Sequence, residues 1–252
     1  MKSSTSLLAA LVTAGLGAAC AGHTQYDPFI VPQARIYGSV KTIALAPMCA
    51  CSATPELRKV DPSRGKFDSL VTTELTHAGF AVVPAAASDS IWRRVTDSLG
   101  GLFNSATGEP DTVRQKIARA LTMRELQARF HADAWLHPHI VLAAAKFSGG
   151  EANWDGASET YQSFGKKFLT ALFGGGTYGK TPALSLRVDL EDMQGKDLYA
   201  NQGGLQLYEV PAGRDFRSIP LDQLYADPVR NANAVHLALA PLVTRGQEGG
   251  AK

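Results

Sequence analysis

Apolar positions follow two rhythms along this chain. Lys41-Thr42-Ile43-Ala44-Leu45-Ala46-Pro47 is an apolar run stopped by proline, which predicts a buried first strand. A loop with Pro55, Pro62 and Gly65 follows. Then Phe67, Leu70, Val71, Leu75 and Ala78 fall on one helical face, with Gly79 at the C-cap position. Phe80 to Val83 predicts a second strand, stopped by Pro84. Such a β-loop-α-β unit pairs its strands in parallel. Ser88 is placed to cap a short helix carrying Ile91, Trp92, Val95 and Leu99, ended by Gly100-Gly101. Residues 101–110 read as loop, Asp111 opens a helix through Phe130, and Ala132 to Lys146 reads as strand.

The second half changes rhythm. Residues 148–181 are glycine-rich and are assigned no element. Leu184, Leu186, Val188 and Leu190 then face one way, and Ser185, Arg187 and Asp189 the other. Asp192 to Gly195 is a turn, and Leu198 to Ala200 and Leu205 to Tyr208 continue as strand, a hairpin or meander with one wet face. Asp227-Pro228 pairs an N-cap residue with proline at the first helical position. Val229, Ala232, Val235 or His236, Leu239 and Leu242 give that helix its apolar face, Gly246 stops it, and 246–252 reads as a frayed tail. The pattern predicts one α/β domain over 39–245. Its central mixed sheet is parallel at the start and antiparallel later, with helices packed on it and a helix at the end.

The first residues are of another kind. Lys2 followed by the apolar, small-residue run Leu7 to Ala19 reads as a signal peptide over 1–19. That run is shorter than the roughly 20 residues a membrane span needs. It ends at Cys20. Residues 20–38 mix polar residues with Pro28 and Pro32 and read as a tether.

Composition narrows the classes. Of 252 residues, 45% are apolar and 19% charged, which suits a packed core. A net charge of +2 offers no broad field for phosphate neutralisation, so no nucleic-acid partner is expected. Three cysteines are too few for a disulfide scaffold.

Leu16-Gly17-Ala18-Ala19-Cys20 resembles the lipobox of bacterial lipoproteins, whose cysteine is acylated and becomes the first residue. The family usually has Leu three residues before the cysteine; here Gly17 stands there and Leu16 one step further out. Ordinary cleavage near Ala19-Cys20-Ala21 is the alternative, giving a soluble periplasmic protein. Ala21 rather than Asp after the cysteine implies, by the same resemblance, an outer-membrane anchor facing the periplasm. Three further stretches carry a second resemblance: Lys41 to Pro47; Thr73 to Phe80 with Val82-Val83; and "FHADAWL" at 130–136 followed by "LSLRVDLEDMQGKDLY" at 184–199. Their order resembles the domain shared by the curli-secretion channel lipoprotein, penicillin-binding-protein activator lipoproteins and the amino-terminal domain of the Tol-system propeller protein. This resemblance spans 41–245 and implies a module that binds partners rather than one that catalyses. A barrel-forming relative needs alternating hairpins. The candidate insertion at 158–179, with Phe164, Phe168, Leu169, Leu172 and Phe173, has helical spacing, so no pore is expected.

Two residue groups carry candidate chemistry. Cys49-Ala50-Cys51 follows the first strand, where open α/β sheets place ligands. A disulfide between Cys49 and Cys51 without a redox role is expected; a redox pair or half of a soft-metal site is the alternative. His137-Pro138-His139 lies in a predicted strand, so both imidazoles share a face and His131 is near in sequence. With Cys49 and Cys51 they would form a mixed sulfur–nitrogen set suited to zinc or copper. The plainer reading is that Pro138 marks an edge strand.

The other features read as structure. Trp154-Asp155-Gly156 is a turn after a strand, and Gly100-Gly101 and Gly174-Gly175-Gly176 lack Walker or dinucleotide spacing. Arg114, Lys116, Arg119, Arg124 and Arg129 make the 111–130 helix basic, which reads as a solvated face. The stretch 161–173 suits a membrane surface, a sheet cover or an oligomer contact.

The sequence therefore leads to a lipid-anchored envelope protein whose domain binds another envelope protein or a cell-wall component, with self-association open. No catalytic residue, no resident metal and no cofactor beyond lipid on Cys20 is expected. The alternative is a periplasmic metal- or redox-handling protein using Cys49, Cys51, His137 and His139.

Overall fold

The computed structural model describes residues 26–52, 54–148, 151–160, 178–212 and 215–244. The expected signal peptide, Cys20, the start of the tether, the 161–173 stretch, Gly174 to Gly176 and the 246–252 tail lie outside them. Among the described residues the chain is α/β. The helices are α1 (Gln33–Ser39), α2 (Phe67–His77), α3 (Ala85–Ser98), α4 (Thr112–Phe130) and α5 (Pro228–Val243). The main sheet holds β1 (Thr42–Leu45), β2 (Cys49–Ser52), β3 (Ala81–Val83), β4 (Ala134–Ser148), β5 (Glu151–Trp154), β6 (Ala157–Thr160), β7 (Tyr178–Asp192) and β8 (Asp197–Leu207). A separate hairpin joins β9 (Glu209–Ala212) to β10 (Asp215–Ser218).

The sheet is mixed, as the pattern predicts. β1 lies between β3 and β4 and is parallel to both. β7 runs antiparallel along the whole of β4, and β8 antiparallel along β7. The other flank of β4 is served in turn by β1 at Ala134 to Leu136, by β2 at His139 to Val141 and by β5 at Lys146 to Ser148. So β4 is interior, which corrects the edge-strand reading of Pro138. The Leu136 carbonyl accepts from Ala46 N on the β1 side, and Pro138 has the same parity. Its missing N–H therefore falls in the gap where β1 hands over to β2.

Side chains sort onto two faces with period two. Ile43, Leu45, Leu136, Ile140, Leu184, Leu186, Val188 and Leu190 meet α2 and α5 in the larger core. The apolar face of α2 supplies Phe67, Val71 and Leu75, each worth about 1.5–3 kcal/mol when fully buried. Asp227 caps α5 by accepting from Val229 N and Arg230 N, which starts that helix where its sequence predicts. The buried face of α5 is Asn231, Ala234, Val235, Ala238, Leu239 and Leu242; Val229 is 75% exposed and His236 is exposed. On the opposite face Ala44, Val83 and Trp135 meet α3 and α4 around Ile91, Val95, Met123 and Leu126. Asp111 caps α4 through Val113 N and Arg114 N.

Three expectations change. α3 begins at Ala85, directly after Pro84, so Ser88 is buried inside the helix and is not its cap. The stretch from Leu198 to Leu207 is one strand, with a bulge opposite Leu184 and Ser185. The tether also ends early. Phe29 bridges to Tyr199, Ile36 of α1 is fully buried, and the Tyr37 hydroxyl donates to the Leu242 carbonyl at 2.8 Å. Sparse apolar residues with two prolines look like linker, yet Val31 and Ile36 seat this segment in the larger core.

Gly203 and Gly204 let three layers close on β8. A Cβ on Gly203 would fall on the Ala234 carbonyl and the Ala238 nitrogen of α5. A Cβ on Gly204 would strike Trp154 and Ala157 of the β5–β6 hairpin. That hairpin turns at Asp155 (φ 40°) and Gly156 (φ 79°) and folds back over the sheet.

Candidate functional site

On the face shared by α3 and α4, cover is incomplete. The two helices take one end, and the β5–β6 hairpin takes the other around Ala145, Phe147, Trp154 and Ala183. Between them lies a window of polar side chains. Its cross-strand rows follow from register: Trp135 opposite Glu191, His137 opposite Asp189, and Cys49, His139, Arg187 and Gln202 in a line across β2, β4, β7 and β8. Ser185 closes the far side, its hydroxyl donating to Asp155 Oδ2 at 2.6 Å.

Two carboxylates organise the window. The Glu191 side chain is 2% exposed and takes Arg119 on one oxygen and His137 Nε2 on the other, the latter at 2.6 Å. Arg119 thus reaches from the basic helix α4 to a buried acid, a role beyond the solvated face expected of it. The Trp135 ring, tilted 54° to it with centroids 4.3 Å apart, packs against the His137 ring as well. Asp189 accepts from Arg187 Nε at 3.0 Å and Nη2 at 2.9 Å, and its Oδ2 lies 3.6 Å from His139 Nδ1. The same Nδ1 is 3.4 Å from the His137 carbonyl. With acceptors facing Nδ1, the neutral ring carries its proton there and keeps a lone pair on Nε2. Burial pushes the His139 imidazole below the usual histidine range, against the opposing pull of Asp189.

Cys49 sits beside His139 by register and is disulfide-bonded. Cys51 follows on the same strand, with its side chain outside the described residues. The expected groups thus meet in part: Cys49 joins His139, while His137 is committed to Glu191. Among the described residues no group of three or more His, Cys, Asp or Glu side chains is placed to hold a metal ion. His131 ends α4 at φ 53° and is exposed. Among them, too, no helix is long and apolar enough to cross a membrane.

No family model, curated protein or solved structure matches this chain. Its function is therefore read from its own residues.

Glu191 and Arg119 are the site residues that sequence reasoning missed. Glu191 was within reach, since it continues the period-two face of Ser185, Arg187 and Asp189. Arg119 carried no such signal among five basic residues on one helix. A shallow groove lined by Tyr26, Asp155, Gly156, Arg187, Asn201, Gln202 and Leu237 adjoins the window at the β8 edge.

Proposed function

We propose that this chain is an envelope lipoprotein, acylated at Cys20 and held at the outer membrane, whose α/β domain is a non-catalytic binding module in the periplasm. The observation that carries the compartment is the disulfide at Cys49. Cytosolic reductants keep thiols reduced, whereas the periplasm lets disulfides persist. The lipobox-like run ending at Cys20 supplies the anchor. Fold alone does not name the partner.

The reading has a geometric consequence. Phe29 is already fixed on β8, and eight residues separate it from Cys20. Fully extended, that leash spans roughly 30 Å, so the domain would ride close to the bilayer. The partner then belongs to the membrane-proximal zone: an envelope protein or a cell-wall component.

Fractionation of cells expressing Cys20→Ala tests the anchor. The wild type is expected in the outer membrane with a diacylglyceryl-modified cysteine by mass spectrometry, and the variant in the soluble fraction. Equal fractionation of the two, with an unmodified Cys20, would leave a soluble periplasmic protein instead.

A further inference from the structure

The cross-strand row in the window joins a sulfur to an imidazole and the imidazole to a carboxylate. Cys49 on β2 and His139 on β4 are register partners in a parallel pair, so their side chains leave the same face from strands about 4.8 Å apart. Ala50 points the other way, into the larger core. His139 turns Nδ1 toward Asp189, and Arg187 holds Asp189 through two nitrogens of its guanidinium. The His139 and Asp189 side chains are 18% and 30% exposed, so the row is open enough for a protein or peptide thiol to approach.

We propose that, beyond the binding role inferred above, the Cys49 disulfide is a thiol–disulfide exchange centre for a client dithiol, with His139 as the group that carries the proton and Asp189 as the residue that positions it. A client thiol gives its proton to His139 Nε2, and its thiolate attacks the sulfur bonded to Cys49. The S–S bond breaks, the electron pair leaves on Cys49 Sγ, and the proton on His139 passes to that sulfur. The client's second thiol then attacks the client sulfur of the mixed disulfide, the electron pair leaves on the partner sulfur, and the second thiol's proton passes to that sulfur, releasing it as a thiol. The client's two thiols are oxidised to one disulfide, and the protein's disulfide is reduced to two thiols.

The surroundings suit both directions. In reverse, His139 takes the Cys49 proton and leaves a thiolate beside an imidazolium that Asp189 stabilises, which lowers the thiol pKa. The groups facing His139 are Asp189 and Arg187 from β7, His137 on its own strand and Cys49 from β2. At neutral pH burial keeps the ring uncharged and ready to accept a proton. Acylation of Cys20 is not required.

The test uses the purified full-length chain. Native protein is first exposed to reduced glutathione at pH 7, with release of the Cys49 thiol followed by alkylation and peptide mapping. The reduced protein is then alkylated with iodoacetamide across pH 5–10. We expect the disulfide to open under native conditions. The Cys49 alkylation midpoint should lie at least about one unit below the ~8.5 of a free cysteine. His139→Gln should raise that midpoint and slow exchange at pH 7 about tenfold or more, and Asp189→Asn should do so less, while His236→Gln changes neither. A wild-type midpoint at 8.5 or above overturns the proposal, as does a disulfide that glutathione leaves intact in the folded protein. Equal exchange rates in wild type and His139→Gln would also overturn it. The wild-type readings need no variant to fold.

Discussion

The two faces of β4 and β7 are one residue apart in sequence and opposite in use. Leu136, Ile140, Leu186 and Leu190 are fully buried under α2 and α5. His137, His139, Arg187 and Asp189, alternating with them, remain partly exposed; Asp189 faces His139 and Arg187, and His137 pairs with Glu191. The covered face is the source of stability, because its helices remove apolar area from water. The window is where polar side chains of β4 and β7 meet within reach of solvent, and the proposed exchange centre is placed there. Apolar cover and polar exposure are thus divided across the thickness of one sheet.

Substitutions can break that division, and the largest effect belongs to the covered face. Gly203→Val would drive a side chain into the backbone of α5, and a loss of about 3 kcal/mol or more is expected in urea unfolding. A midpoint within error of wild type would mean that α5 does not seat on β8 as described. Leu186→Ala should cost about 2–5 kcal/mol, since a fully buried side chain leaves a cavity between sheet and helix. Urea curves at one pH suffice to check it.

A pH series separates His139 from the buried carboxyls by sign. His139 is held below its ordinary value, so the unfolded chain takes up that proton first. Its contribution is complete above about pH 6.5 and is lost as pH falls from there toward the folded value. Asp68 on α2 and Glu159 on β6 are pushed up by burial, and the folded chain takes up their protons first. They add stability as pH falls through their raised values toward about 4. Between pH 7.5 and 5.5, wild type should therefore lose more stability than His139→Gln; parallel curves would show that the ring titrates alike in both states. The smallest effect is expected at Arg187→Ala. Its ion pair with Asp189 is partly exposed and worth about 0–1 kcal/mol, so its unfolding midpoint should stay near wild type beside the large shift from its neighbour Leu186.

What was legible in the sequence was local. Asp111 and Asp227 announce α4 and α5 because a capping side chain acts on nitrogens two and three residues on. The alternation from Leu184 to Leu190 shows a strand because one side of it is wet. The missed elements depend on distant partners. α1 is a short helix seated by the end of α5, and β5 and β6 are four residues each, held by β4 and by contact with β8. The site follows the same rule. The histidine pair sharing a face was readable, but its meeting with Cys49 is a matter of register between strands 90 residues apart in sequence.

The clamp of the N-terminal segment on β8 also determines how the domain bears tension. Ile30 N and Val31 N donate to the Leu198 carbonyl, and Ala200 N donates to the Pro28 carbonyl. Force entering at residue 26 along the strand axis loads these bonds together, in shear. Force across the axis meets the Tyr26 hydroxyl bond to the Ala200 carbonyl first and opens the contacts one after another, so the joint resists lengthwise pull and peels sideways.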